Sequence, residues 1–191
     1  DMYKENENYE NIYYGSTYTI LRNDIHWFNP IIEEKVKNII ISFGGTDPQN
    51  YTENIVQLLI DNKINENIII NVVLGIGYTN EEIYKYKNCI NINIFQNIEN
   101  LPYLIQDADI GITSNGRTLM EFCYLNVPCL SIPQNEREIE HPFACLENGI
   151  IYIEKYNDKI IIDSINNLIQ NKEYRMELIS CMKKKKGRIR K

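Results

Sequence analysis

At 191 residues the chain is long enough for one domain with a full core and short for two, and its 43% hydrophobic and 24% charged residues exclude disordered and fibrous classes. The net charge is −6 although seven of the last nine residues are basic, so the body is more acidic than the total and nucleic acid is not an expected partner. No apolar run approaches the length that crosses a bilayer, and no signal-peptide pattern opens the chain.

The first 36 residues read as a linker and lead-in, polar and aromatic, with Gly15 to Arg22 and Trp27 to Pro30 expected to dock on a domain covering residues 37–185. A start at Asp1 suggests a piece cut from something longer. His26, beside Trp27, is expected to pack structurally. Residues 186–191 read as a solvated basic tail.

After Lys37, short runs rich in Ile and Val alternate with segments of helical period. Strands are expected at residues 38–43, 68–74, 90–95, 110–113, 129–132 and 150–153. Helices are expected at 51–61, 80–86, 101–107, 116–125, 136–148, 158–171 and 172–185. Six strands alternating with helices imply an α/β fold, a doubly wound and mostly parallel six-stranded sheet with helices on both faces, because each crossover must return the chain to the same end. Runs such as Ile39-Ile40-Ile41 fit strands buried on both sides. Thr52, and Ser114 or Asn115, are the expected helix N-caps.

Three strand-to-helix junctions carry the residues with chemistry. At the first, Gly44 and Gly45 let the backbone approach a ligand, while Thr46 and Asp47 add a hydroxyl and a carboxylate ahead of a helix. A tight turn without a ligand is the plain alternative. No Gly-Lys-Ser/Thr follows, and Gly75-Ile76-Gly77 lacks a third glycine, so neither a Walker A loop nor a dinucleotide fingerprint is present and hydride transfer is disfavoured.

At the second junction, Ser114-Asn115-Gly116-Arg117-Thr118 opens a helix whose free amides suit a phosphate, with Arg117 able to clamp an anion. Glu121, about one turn on, suits the paired hydroxyls of a ribose or, alternatively, the helix dipole. Two such turns suggest one ligand, a nucleotide.

The third junction runs from Pro133 to Ala144 and holds Gln134, Asn135 and Arg137, expected to contact the sugar or diphosphate. Glu138 and His141 are three apart, so on a helix they share a face and form either an acid–base pair or a solvated surface; they are the catalytic candidates on this chain. Asp107 and Asp109 read as a helix end and a strand start. Five widely spaced cysteines without a C-x-x-C pair point to neither a disulfide framework nor a zinc site, and to the cytoplasm. No metal or cofactor is expected.

The strings I-S-F-G-G-T-D-P-Q-N-Y-T and D-A-D-I-G-I-T-S-N-G-R-T-L-M-E-F-C-Y-L-N-V-P-C-L-S-I-P resemble the C-terminal half of GT-B fold nucleotide-sugar enzymes. Among these are the UDP-sugar hydrolase of pseudaminic acid biosynthesis and its spore-coat polysaccharide relatives. The resemblance implies a Rossmann-like domain that binds the UDP part of a UDP-sugar, using Gly44, Gly45, Thr46, Ser114, Asn115, Gly116, Thr118 and Glu121. It also implies an N-terminal partner domain, absent from this chain, that carries the hydrolase's catalytic histidine. Where those hydrolases carry Glu-Asn-Gln, this chain has Gln134-Asn135-Glu136-Arg137-Glu138 and then His141. That variant resembles a branch fused to sugar cytidylyltransferases, which opens a second reading as a non-catalytic binding or regulatory module.

Overall fold

The computed structural model describes residues 21, 25 and 33–186. Most of the expected lead-in, His26 and residues 187–191 lie outside them. Among the described residues one sheet forms from β1 (Asn38–Ser42), β2 (Ile69–Leu74), β3 (Ile92–Gln96), β4 (Ile110–Thr113), β5 (Cys129–Ser131) and β6 (Ile150–Tyr152). Its order is β3-β2-β1-β4-β5-β6 and every neighbouring pair is parallel. The expectation of a mostly parallel sheet is met by an entirely parallel one.

The helices are α1 (Tyr51–Asp61), α2 (Leu101–Gln106), α3 (Arg117–Tyr124), α4 (Glu136–Ile139), α5 (Asp158–Gln170) and α6 (Lys172–Lys186). They cover both faces of the sheet. In β1, Ile39 and Ile41 join Ile55, Val56 and Leu59 of α1 and Ile161, Ile165 and Leu168 of α5. Ile40, pointing the other way, joins Ile105 of α2 and Leu119, Phe122 and Cys123 of α3. A strand buried on both faces has no reason to alternate polar with apolar residues, so three consecutive isoleucines, all fully buried, satisfy it. Gly111 in β4 leaves room for the Phe122 ring, which an added Cβ would meet at 2.4 Å.

Side chains lock the start of the sheet. The Asp109 carboxylate accepts the amides of Lys37 (2.7 Å) and Asn38 (3.0 Å), so it joins the entry of β1 to that of β4, in line with its reading as a strand start. Arg175, buried in α6, donates to the carbonyls of Leu168 at the end of α5 and of Glu34 ahead of β1.

Three local expectations are corrected. The helix expected over 136–148 stops after one turn at Ile139, because Pro142 cannot continue it, and a short 3-10 turn, Leu146–Asn148, follows. The segment expected at 80–86 is a 3-10 helix, Glu81–Asn88, whose first turn is capped by the Asn80 side chain. Thr52 lies inside α1, whose amides at Tyr51 and Thr52 are taken by Asp47, while the cap position of α3 is Gly116 rather than Ser114 or Asn115.

Candidate functional site

Strand order reverses at β1: the chain runs outward from β1 through β2 to β3, then returns to place β4 on β1's other side. In an open α/β sheet the loops leaving two such strands part and leave a crevice at the carboxyl edge. Ser42 and Thr113 are register partners at the last positions of β1 and β4. The turns Gly44–Asp47 and Ser114–Gly116 therefore start side by side.

The first turn is open outward and held from behind. Gly44 has φ 77, a left-handed conformation that favours glycine, and an added Cβ at Gly44 or Gly45 would meet nothing within 4 Å. Behind it sits the loop after β2. A Cβ on Gly75 would fall 2.2 Å from the Gly44 carbonyl oxygen, and the Gly77 amide donates to the Gly45 carbonyl at 2.8 Å. The Gly75-Ile76-Gly77 string thus has a packing role that its reading as an incomplete fingerprint missed. A glycine pair just past a strand was the available signal.

Asp47, assigned to the ligand from sequence, is buried, and its two carboxylate oxygens accept the amides of Tyr51 (3.0 Å) and Thr52 (2.7 Å). It caps α1 through a positive-φ backbone, φ 45. Thr46 is exposed beside it.

The second turn feeds α3 with no side-chain cap on its first amides, the electropositive end of the helix. Gly116 and Thr118 are half-buried, Arg117 is exposed, and Glu121 is half-buried one turn along. Ser114 and Asn115 are buried and turned toward α4. Ser114 Oγ donates to Glu138 Oε1 at 3.1 Å, and Asn115 Nδ2 donates to the carbonyls of Glu138 (2.7 Å) and His141 (2.8 Å).

The third turn binds the other two together. Gln134 is buried, and its Nε2 donates to the carbonyl of Phe43 at the end of β1 (2.8 Å). Its amide donates to Glu138 Oε2 at 2.8 Å and its carbonyl accepts from Gln49 Nε2 at 3.1 Å. Gln49 was not singled out in the sequence, since an exposed glutamine in a turn carries no pattern. Asn135 caps α4 by accepting the Glu138 amide at 3.0 Å, and Arg137 is exposed on the same short helix. The Asn115 Oδ1 and Gln134 Oε1 atoms, in the second and third turns, are buried without a hydrogen-bond partner.

Glu138 and His141 do not form the expected side-chain pair. Each carboxylate oxygen of Glu138 is already engaged, Oε1 by Ser114 and Oε2 by the amide of Gln134 in the turn ahead of α4, and α4 ends before His141. The imidazole lies edge-on to Phe143, at 6.4 Å between ring centroids, with Nδ1 buried and unpartnered. Burial above all holds its pKa below the ordinary value, and the Arg137 cation acts in the same direction.

The chain matches the glycosyltransferase family 28 C-terminal domain over residues 39–190. It belongs to that family. The family-28 domain is 34% identical over 148 residues to the uncharacterized protein MJ1062 of Methanocaldococcus jannaschii, covering 72% of this chain and 30% of that protein. It superposes on the C-terminal domain of the group 1 glycosyl transferase LpcC from Francisella tularensis with a TM-score of 0.62 at 13% identity, covering 83% of this chain and 93% of that domain. A UDP-GlcNAc 2-epimerase from Neisseria meningitidis, bound to UDP-GlcNAc, matches with a TM-score of 0.57 at 20% identity, over 78% of this chain and 40% of that one. At these identities the structural likeness is one of fold, the Rossmann-like C-terminal half of GT-B proteins. The chain spans under half the length of the archaeal relative and of the epimerase. No described helix is long and apolar enough to cross a membrane.

Proposed function

We propose that this family-28 domain binds a nucleotide-diphosphate sugar, a UDP-sugar, at the β1/β4 crevice, as one half of a hydrolase or glycosyltransferase of nonulosonic acid or surface-polysaccharide synthesis. The observation that carries the reading is the pairing of Ser42 with Thr113, from which an open glycine turn and an uncapped helix N-terminus depart together. Amides on one side and a helix dipole on the other suit the two phosphates, and Glu121 suits the ribose hydroxyls. The epimerase among the structural neighbours holds UDP-GlcNAc, which favours the same ligand class.

In the reaction an oxygen nucleophile, water or an acceptor hydroxyl, attacks the sugar anomeric carbon while the bond to the diphosphate oxygen breaks. The charge that develops on the departing diphosphate is stabilised by the turn amides and by Arg117. The base belongs to an N-terminal partner domain.

The engagement of both Glu138 oxygens, which removes the acid–base pair proposed from sequence, favours a second reading as well. The chain then holds a nucleotide or sugar without turning it over, as a module of a larger sugar cytidylyltransferase protein. Titration calorimetry with UDP, UMP, TDP and CDP tests the shared core of both readings. UDP is expected to bind in the micromolar range and at least tenfold more tightly than UMP, roughly the contribution of one charge-assisted phosphate contact. No heat with any of the four would refute both, and a preference for CDP would favour the second.

A further inference from the structure

Glu138 holds two turns at once. Its Oε1 accepts from Ser114 Oγ in the turn after β4, and its Oε2 accepts from the Gln134 amide in the turn after β5. Its carbonyl accepts from Asn115 Nδ2 while its own amide donates to Asn135 Oδ1. The residue thus uses backbone and side chain together, on a four-residue helix that has no buried residue of its own to fix it.

The carboxylate also stands at the mouth of α3. A Cβ placed on Gly116, the cap position of that helix, would lie 3.5 Å from Glu138 Oε1. We propose that Glu138 is a positioning residue for the diphosphate, fastening the Ser114–Gly116 turn to the Gln134–Asn135 turn so that the α3 amides meet the ligand already ordered.

This rests on the nucleotide reading above and adds a property that reading does not contain. The two effects of Glu138 on an anionic ligand have opposite sign. Fixing both turns in advance favours binding, because the ordering cost is met before the ligand arrives. The negative charge beside the phosphates opposes it.

Glutamine and alanine separate the two effects. In Glu138→Gln the amide oxygen can still accept from the Gln134 amide, and the amide nitrogen can donate to Ser114 Oγ with the hydroxyl turned round, so the bridge survives without the charge. Glu138→Ala removes both. UDP affinity by calorimetry is expected to rise about threefold in Glu138→Gln at low salt, the gain shrinking as salt is added. It is expected to fall about tenfold in Glu138→Ala.

A role confined to folding would leave the ligand affinity of folded protein unchanged, so melting temperature is measured alongside. Hydrogen exchange in ligand-free protein gives an independent readout. The Gln134 amide and residues 114–118 should exchange faster in Glu138→Ala and at the wild-type rate in Glu138→Gln. Wild-type affinity together with wild-type exchange in Glu138→Ala would overturn the proposal. So would a loss in Glu138→Gln as large as in Glu138→Ala, which would make the carboxylate a direct ligand contact. Wild-type protein that binds no nucleotide would sink the underlying reading instead, and exchange would still decide whether Glu138 orders the two turns.

Discussion

The Thr113 hydroxyl donates to the Ser42 carbonyl at 2.7 Å, a buried hydrogen bond that ties the last residue of β4 to the last residue of β1. The Gly44–Asp47 and Ser114–Gly116 turns both leave from this pair, so the hydrogen bond fixes where the two turns begin relative to each other. Thr113→Val keeps the shape and removes the donor. It is expected to destabilise the domain by about 1–2 kcal/mol, the usual cost of one lost buried hydrogen bond, and to weaken UDP binding. Urea denaturation and calorimetry on the same sample check both.

Asp47 should behave as a cap before it behaves as a ligand contact. Asp47→Ala removes the acceptor of two α1 amides and is expected to lower stability by about 1–2 kcal/mol in chemical denaturation. Asp47→Asn keeps one acceptor oxygen and should recover part of the loss. A stability unchanged in both variants would exclude the capping role.

Gly45 and Gly75 make a contrasting pair on two faces of the same turn. Gly75→Ala would drive a methyl group into backbone atoms of Gly44 and Gly45, at 2.2 and 2.5 Å, for an expected loss of about 1–3 kcal/mol typical of overpacking. Gly45→Ala meets nothing within 4 Å, so its stability should stay within about 0.5 kcal/mol of wild type. Under the proposed nucleotide reading its methyl would stand in the ligand's path, and UDP affinity should fall. Melting curves and calorimetry on both variants distinguish the packing glycine from the outward-facing one.

His141 sets a pH trend. Its folded pKa is depressed below the ordinary 6.5, above all by burial, with Arg137 acting in the same direction, so the unfolded chain takes up its proton first as pH falls. Its neutral ring therefore contributes stability above about pH 6.5 that is lost as pH drops through the lower folded value. The Glu53 carboxyl, held below its ordinary 4.5 by Asn50, Lys85 and Asn80 against the opposing effect of burial, acts in the same direction only at more acid pH. Urea midpoints between pH 7.5 and 5 should fall less steeply in His141→Asn than in wild type. Parallel slopes would remove His141 from the account.

The sheet was legible in the residues because its strands are buried on both faces and so spell themselves as unbroken apolar runs, as in Ile39-Ile40-Ile41. Strand 110–113 and helix 51–61 were placed to the residue. The segment 136–148 was misread because its charged residues keep a helical spacing through Pro142, and spacing carries no record of where the chain turns. The glycine turns were also visible, since a positive φ and a close backbone approach both select glycine.

The roles of the polar residues became readable only in the fold. Glu138, Gln134, Ser114 and Phe43 are far apart in sequence or separated by turns, and their hydrogen bonds exist because β1, β4 and β5 end at one edge of the sheet. A carboxylate looks the same in a sequence whether it will cap a helix, hold two loops or meet a substrate. Hydrogen bonding is decided by distance and direction, and those belong to the tertiary structure. Hydrophobic pattern and backbone permissiveness are local, so the chain alone determined the strands, most of the helices and the position of the glycine turns.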